Sequence, residues 1–366
     1  MIPFLQIHQT HYLQTQYLVI AMLMLVGILL CVVLFMLVYL IHRKKRTKRK
    51  SQWRQNIDLL LRRAIFFEEE QGNLLIPISP KIRKWLIKPT FRQFLVDELI
   101  IAKKSFSGSA SENLRKLYNQ LNLEKASLEK LNSPKWHIKA RGIQELALMD
   151  QKDKVGRIYR LTNNRNEFVR MEAQSAIVHF YGFEGLRFLD VVSQPISEWQ
   201  QIKLLAQLPK VSAVLLDGME GWLKSPNDSV ILFSLKLVSI HHRFELHDRV
   251  AACLEHPHPS IRIQAVKCLQ DICNESTAEV ITRYYTQNGR SYQAAVLEVL
   301  QWIGTLQNVE FLEKALLSED DALKLAAARA LARLSGDGVQ LLDSFKQAGD
   351  YPWNEIIRQA KSEKAA

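Results

Sequence analysis

Cysteine is scarce in this chain, and the four present, Cys31, Cys253, Cys268 and Cys273, include no C-x-x-C pair. Four scattered thiols do not build a disulfide framework. Cys31 lies in an apolar stretch and the other three in helical patterns, so reduced thiols buried as small hydrophobes, suited to a reducing compartment, are the expectation. Lysine and arginine are missing from the whole segment before Arg43. A cleaved signal peptide needs a positive n-region, a shorter apolar core and a small-residue cleavage site, which argues against that reading. A lipoprotein site is argued against too, because bulky Leu30 precedes Cys31 where a small residue belongs. Catalytic signatures are also lacking. There is no G-x-x-x-x-G-K-[ST], no G-x-G-x-x-G and no H-E-x-x-H.

What the chain does have is a long hydrophobic run. Residues 17–41 carry no charge and are rich in Leu, Val, Ile and Met. As a helix they reach about 37 Å, enough to span a bilayer with some tilt. Immediately after them come Arg43, Lys44, Lys45, Arg46, Lys48, Arg49 and Lys50, which account for seven of the net +12 charges. The remaining +5 is a mild excess over the rest of the chain, so nucleic acid is not the expected partner. The asymmetry places the N-terminus outside and the body in the cytoplasm, at the inner membrane, because translocating such a cluster is strongly disfavoured. The same run attracts anionic lipid headgroups at about 1 kcal/mol per residue, although a topological role explains it equally well.

Five segments follow from this pattern. Residues 1–16 form a short extracytoplasmic N-terminus, 17–41 the membrane helix and 42–132 a basic juxtamembrane segment with a helical adaptor; 133–349 form a repeat region and 350–366 a capping helix and tail. In the adaptor, Ile57, Leu60, Leu61, Ala64 and Ile65 make an apolar stripe at helical spacing. Pro77, Pro80 and Pro89 interrupt it, residues 74–78 read as extended, and a helix resumes near Thr90. Residues 106–111 read as a loop, with Ser111 capping a helix over 112–121 and another helix following over 124–131.

The dominant signal is a recurrence of about 31 residues. An apolar residue opens a helix at Ile138, Val169, Val230, Ile261, Tyr292 and Leu323, with gaps of 31, 61, 31, 31 and 31. Four residues on stand Gly142, Ala173, Ser234, Ala265, Val296 and Ala327; eight on stand Leu146, Ile177, Val238, Leu269, Leu300 and Leu331. Positions i, i+4 and i+8 share one helix face, and a small middle residue lets a neighbouring helix approach closely. The double gap holds a degenerate unit near Trp199 or Gln200, with Leu204 and Leu208 on its face. Second helices are expected over 186–192, 211–223, 246–254, 278–285, 309–317 and 339–345. One hairpin cannot bury its own apolar faces, so the expected fold is all-α, a solenoid of about seven stacked helical hairpins preceded by a single transmembrane helix.

Three stretches carry a resemblance: Pro259-Ser260-Ile261-Arg262-Ile263-Gln264-Ala265-Val266, Phe168-Val169-Arg170-Met171-Glu172-Ala173 and Asp321-Ala322-Leu323-Lys324-Leu325-Ala326-Ala327-Ala328. Each resembles the HEAT-like repeat in its short bacterial form, named after phycobilisome lyases, where a turn precedes Val-Arg-x-x-Ala and then Leu. The resemblance covers about residues 134–347, with Ile231 and Gln293 replacing the Arg in two repeats. It implies a binding scaffold; a few members take part in chromophore attachment.

Candidate chemistry is thin. His241, His242, His247, His256 and His258 fall within eighteen residues but match no ligand spacing, so a turn and surface role is expected rather than a metal site. Gly336-Asp337-Gly338 reads as a hairpin turn, and the runs Glu68-Glu69-Glu70 and Asp320-Asp321 as solvated helix ends. Trp199, Trp222 and Trp302 are expected in the core, with anchoring of a partner as the alternative. No catalytic residue, metal or cofactor is assigned. The expected function is a non-enzymatic, membrane-anchored scaffold for a protein partner that is itself membrane-associated. The alternative is a lyase-like accessory or small-molecule-binding protein using the concave solenoid face.

Overall fold

The computed structural model describes residues 3–67, 75–208, 218–334, 340–342 and 353–364. Every regular element among them is helical; no strand occurs among the described residues. The chain divides into two compact units, Met1–Ala126 and Ser127–Ala366.

In the first unit a single helix, α1 (Pro3–Ile65), carries the apolar run, the basic run and the Ile57 stripe without a break. At 1.5 Å per residue its 63 residues extend about 95 Å. From Met22 on, its apolar part is exposed along all faces, and by length and composition this helix is apolar enough to cross a membrane. Its C-terminal part behaves differently, because Trp53, Ile57, Leu60, Leu61 and Ala64 are buried. That stripe packs on α3 (Pro89–Ser105) and α4 (Gly108–Gln120), which follow the short α2 (Pro80–Trp85). Trp53 meets Phe91 edge-on at 5.2 Å between ring centroids, and Leu95, Leu99, Leu114 and Leu117 complete the core.

Two local readings change here. Helix α4 starts at Gly108 with Ser107 as its N-cap residue, so Ser111 lies inside the helix and accepts a hydrogen bond from Lys103 Nζ at 3.1 Å instead of capping. Gly108 adopts φ +64°, a left-handed conformation that glycine takes without strain, which allows the earlier start. Residues 76–79 are irregular, as expected of the extended segment, and residue 74 lies outside the described residues. The Gln120 amide holds this segment: it accepts from Ile76 N at 3.1 Å and donates to Ile76 O at 2.9 Å, replacing a missing strand partner.

The second unit is the solenoid. It takes in the end of α5 (Leu123–Leu131), then a series of long first helices: α6 (Trp136–Leu148), α8 (Glu167–Tyr181), α9 (Glu198–Leu205), α11 (Asp228–Ile240), α13 (Pro259–Asp271), α15 (Arg290–Ile303) and α17 (Asp321–Leu334). Between them lie α7 (Val155–Tyr159), α10 (Met219–Trp222), α12 (His247–Ala252), α14 (Thr277–Arg283) and α16 (Val309–Leu316). Helices α14 and α16 nearly fill the spans expected for them, α12 is continued by 3-10 turns on both sides (Phe244–Leu246 and Cys253–Glu255), and the one expected over 186–192 is a 3-10 helix, Gly182–Asp190. Gly185 lets this segment lie directly on α8, since a Cβ there would stand 2.6 Å from Ile177 O. Consecutive first helices pack side by side, α6 on α8, α11 on α13, α13 on α15 and α15 on α17; the last helix, α18 (Trp353–Lys364), closes on α17. The second helices expected over 211–223 and 339–345 are described only from Met219 and over 340–342, and Gly336-Asp337-Gly338, Glu68-Glu69-Glu70 and residues 350–352 lie outside the described residues.

Candidate interaction surfaces

The repeat positions are built for packing. Val169, Val230, Ile261, Tyr292 and Leu323 are buried, whereas Ile138, in the first repeat, is only half-buried. The i+4 and i+8 residues are buried in all six units, Gly142 among them. At Gly142 the backbone of α5 crosses α6 so closely that a Cβ would meet Leu131 N at 2.6 Å. In the degenerate unit the anchor is Gln200, 1 % exposed, ahead of buried Leu204 and Leu208. A glutamine in an apolar slot hides the period, and it is held by hydrogen bonds from its Nε2 to Met171 O (3.2 Å) and Gln174 Oε1 (3.4 Å).

The arginine that follows the anchor has a structural task. Arg262 donates to the carbonyls of His256 and Pro257 at 2.7 and 2.8 Å, and Arg170 to that of Asn164 at 2.7 Å. Both guanidiniums thus tie the inter-repeat turn to the helix it precedes, absorbing carbonyls the turn leaves unpaired. Gln293 does the same from the amide side, donating to Tyr285 O at 3.2 Å, which is how the repeat tolerates loss of the arginine.

The histidines are spread over separate roles. His256 and His258 sit in the turn before α13, and His242, at φ +46°, faces Asp271 O at 3.2 Å through Nδ1. The His241 ring meets Phe183 edge-on at 5.0 Å, and burial, followed by Arg243 and His242, lowers its pKa. His247 departs from the surface expectation: it is 5 % exposed and its Nε2 lies 2.9 Å from Thr277 Oγ1, because α12 turns it toward α14. Among the described residues no group of three or more His, Cys, Asp or Glu is arranged to hold a metal. Of the thiols, Cys253 and Cys268 are buried, and burial pushes them up to about 11 and about 12; Cys31, on the apolar part of α1, and Cys273, at the end of its repeat, are exposed, against expectation. Glu145, 2 % exposed, accepts from Ser127 Oγ at 2.7 Å, Lys130 Nζ at 2.5 Å and Arg141 Nε at 3.1 Å, a neutralised structural carboxylate that periodicity did not single out.

Two features remain outward. The first is aromatic. Trp222 is buried, with Nε1 donating to Asp190 Oδ1 at 2.5 Å, but Trp199 and Trp302 are 69 % and 63 % exposed, so the core assignment fails for both. The Trp302 ring is covered on one side by the Arg333 guanidinium at 4.2 Å. Trp199 stands in the first turn of α9, where Phe168 stands in α8 and Trp136 in α6, and Trp136 and Phe168 stack at 4.9 Å. Phe168 and Trp199 each stand one residue before the repeat anchor, where later repeats have Ser229, Ser260, Ser291 and Ala322; Trp136 stands one position earlier in its own repeat, ahead of His137, and reaches Phe168 from the neighbouring helix. The second feature is the basic run: Arg43, Lys44, Lys45, Arg46, Lys48, Arg49 and Lys50 are all exposed on α1, directly beyond its apolar part.

Comparison with known proteins agrees with this geometry. Residues 246–332 match the family model described as HEAT repeats, which spans the units anchored at Ile261, Tyr292 and Leu323. No curated protein matches the chain. Among solved structures, similarity is found to an engineered protein (15 % identity, 77 % of this chain and 88 % of that one, TM-score 0.38). It is also found to Kap95p bound to RanGDP (12 %, 87 % and 53 %, 0.47) and to the CpcE–CpcF phycocyanin lyase complex from Nostoc sp. PCC7120 (14 %, 81 % and 99 %, 0.25). With its helical hairpins recurring about every 31 residues and its matched C-terminal units, this chain carries HEAT-like repeats in an all-α solenoid.

Proposed function

We propose that the chain is a single-pass protein of the inner (cytoplasmic) membrane whose repeat solenoid, without catalysing a reaction, serves as a scaffold for a membrane-associated protein partner. The observation that carries this is the group Trp136, Phe168 and Trp199, exposed in the first turns of three consecutive first helices. Clustered exposed aromatics mark interaction sites, and Trp is enriched among residues that dominate binding energy. Rings carried on the first turns of successive packed helices, with Trp136 and Phe168 stacked at 4.9 Å, form an apolar edge that suits a helical or extended segment of a partner. The rigid stack adds contact area at little ordering cost.

Anchoring is supported by the charge-free run over 17–41 and the seven cations after it, which favour an outside N-terminus and cytoplasmic repeats. Confinement to the membrane plane raises the effective concentration of a partner held there too. The test uses the full-length chain in native membranes, with a photo-crosslinking residue at position 199 or, as a control, at exposed Leu317. A protein adduct specific to position 199, lost when Trp136 and Phe168 become serine, is the expected result. Equal adducts at both positions would remove the basis for this surface.

A further inference from the structure

The seven cations after the apolar run are not an undifferentiated collar. Within the first unit, the stripe of α1 that buries Trp53 against α3 continues upstream in steps of three and four residues: Lys50 and Arg49, Arg46, Arg43, Tyr39 and Phe35. These residues line a groove of about 710 Å³, closed on the other side by Thr90 at the start of α3. Along α1 the lining runs from Phe35 to Trp53, about 27 Å. Lys44, Lys45 and Lys48 do not line it.

The groove has two chemistries in sequence. Phe35, Val38 and Tyr39 supply an apolar wall, and Arg43, Arg46, Arg49 and Lys50 a cationic one. No carboxylate is among the lining residues, and none of these four cations has an ion pair among the described residues. Helix α3 begins with Pro89, carries no acidic residue in its first turn and has no side-chain cap at Lys88, so its positive dipole end is left unneutralised beside Thr90. Uncompensated positive charge on one side and bare apolar surface on the other match a molecule with an anionic head and a hydrocarbon tail. A free phosphate would leave the apolar wall uncovered.

We propose that this groove holds one anionic glycerophospholipid, its phosphodiester against Arg46, Arg49, Lys50 and the Thr90 hydroxyl and an acyl chain along Phe35, Val38 and Tyr39. The proposal rests on the reading that residues 17–41 span a bilayer.

The test is native mass spectrometry of the full chain in nonionic detergent, titrated with phosphatidylglycerol or phosphatidylcholine. Two variants remove the same three charges: R46Q/R49Q/K50Q inside the groove and K44Q/K45Q/K48Q outside it. The groove variant is expected to bind the first phosphatidylglycerol at least about tenfold more weakly and the other to change by about threefold or less. The charge-conserving pair R46K/R49K, expected to stay within about threefold of the parent because each Lys or Arg attracts an anionic headgroup about equally, separates loss of charge from misfolding. Equal weakening of both triple variants, or no preference of the parent for phosphatidylglycerol, overturns the groove and leaves the anchor standing. Release of the chain from native membranes by alkaline carbonate overturns the anchor itself.

Discussion

Replacing Gly142 by alanine sets helix propensity against packing, and the two predict opposite signs. Gly142 lies inside α6, where intrinsic preference alone makes alanine the better residue by about 1 kcal/mol. A Cβ built there stands 2.6 Å from Leu131 N, 2.8 Å from Ser127 O and 3.0 Å from Lys130 C. All three are backbone atoms of α5, so no rotamer change relieves the contact, and ordinary carbon contacts need about 3.5–4.0 Å. The helices must therefore part by about 1 Å. Overpacking of this kind costs about 1–3 kcal/mol, and parting α5 from α6 also stretches the Ser127 and Lys130 bonds to Glu145. We expect a net loss of about 1–2 kcal/mol. Gly156, in α7 with nothing within 4 Å of its missing Cβ, is the control, and Gly156→Ala should stabilise by about 0.5–1 kcal/mol. Thermal unfolding of the full chain in detergent, followed by far-ultraviolet circular dichroism, compares the midpoints of both variants with the parent. If Gly142→Ala raised the midpoint as Gly156→Ala does, the close crossing of α5 and α6 would be wrong.

Other consequences are equally direct. Arg262→Met, which keeps the alkyl stem but frees the His256 and Pro257 carbonyls, should lower stability by about 1–2 kcal/mol in the same melt, while Arg187→Met, at an exposed Glu184 pair, should leave it within about 0.5 kcal/mol. Glu145→Gln, which removes the charge that Lys130 and Arg141 share, should cost about 1–3 kcal/mol by the same measure. A membrane-impermeant maleimide on intact spheroplasts should leave Cys273 unlabelled and should label it after permeabilisation; labelling of intact spheroplasts would refute the cytoplasmic placement of the repeats. Cys253 and Cys268, at about 11 and about 12, should stay unreactive in the folded chain near pH 8. Because folding raises both thiols above their ordinary range, the unfolded chain loses these protons first. Stability should therefore hold below about pH 9 and decline as pH rises toward 12, less steeply in C253A/C268A.

The 31-residue recurrence was legible because packing of first helix on first helix requires an apolar, then a small, then a larger residue on one face, a constraint local enough to print itself on the chain. The apolar run and the basic cluster after it were legible for a similar reason, since length and charge are properties of composition. The second helices were less so, because short 3-10 and α segments such as Gly182–Asp190 keep no fixed period. Gln200 blurred the pattern, being a buried polar residue whose amide nitrogen is held by Met171 and Gln174, partners from the preceding repeat.

Which tryptophans face outward was a matter for tertiary structure alone. Trp222 and Trp199 both lie in helices at apolar spacing, yet one is sealed against Asp190 and the other left open, because burial depends on which neighbour arrives and a sequence period does not name the neighbour. The groove on α1 shows the same division. The sequence by itself determined that seven cations follow an apolar run; the packing of α3 on Trp53 selected which of them share a wall with Phe35 and Tyr39, since a helix distributes consecutive residues around its whole circumference and only a neighbouring helix picks out one stripe.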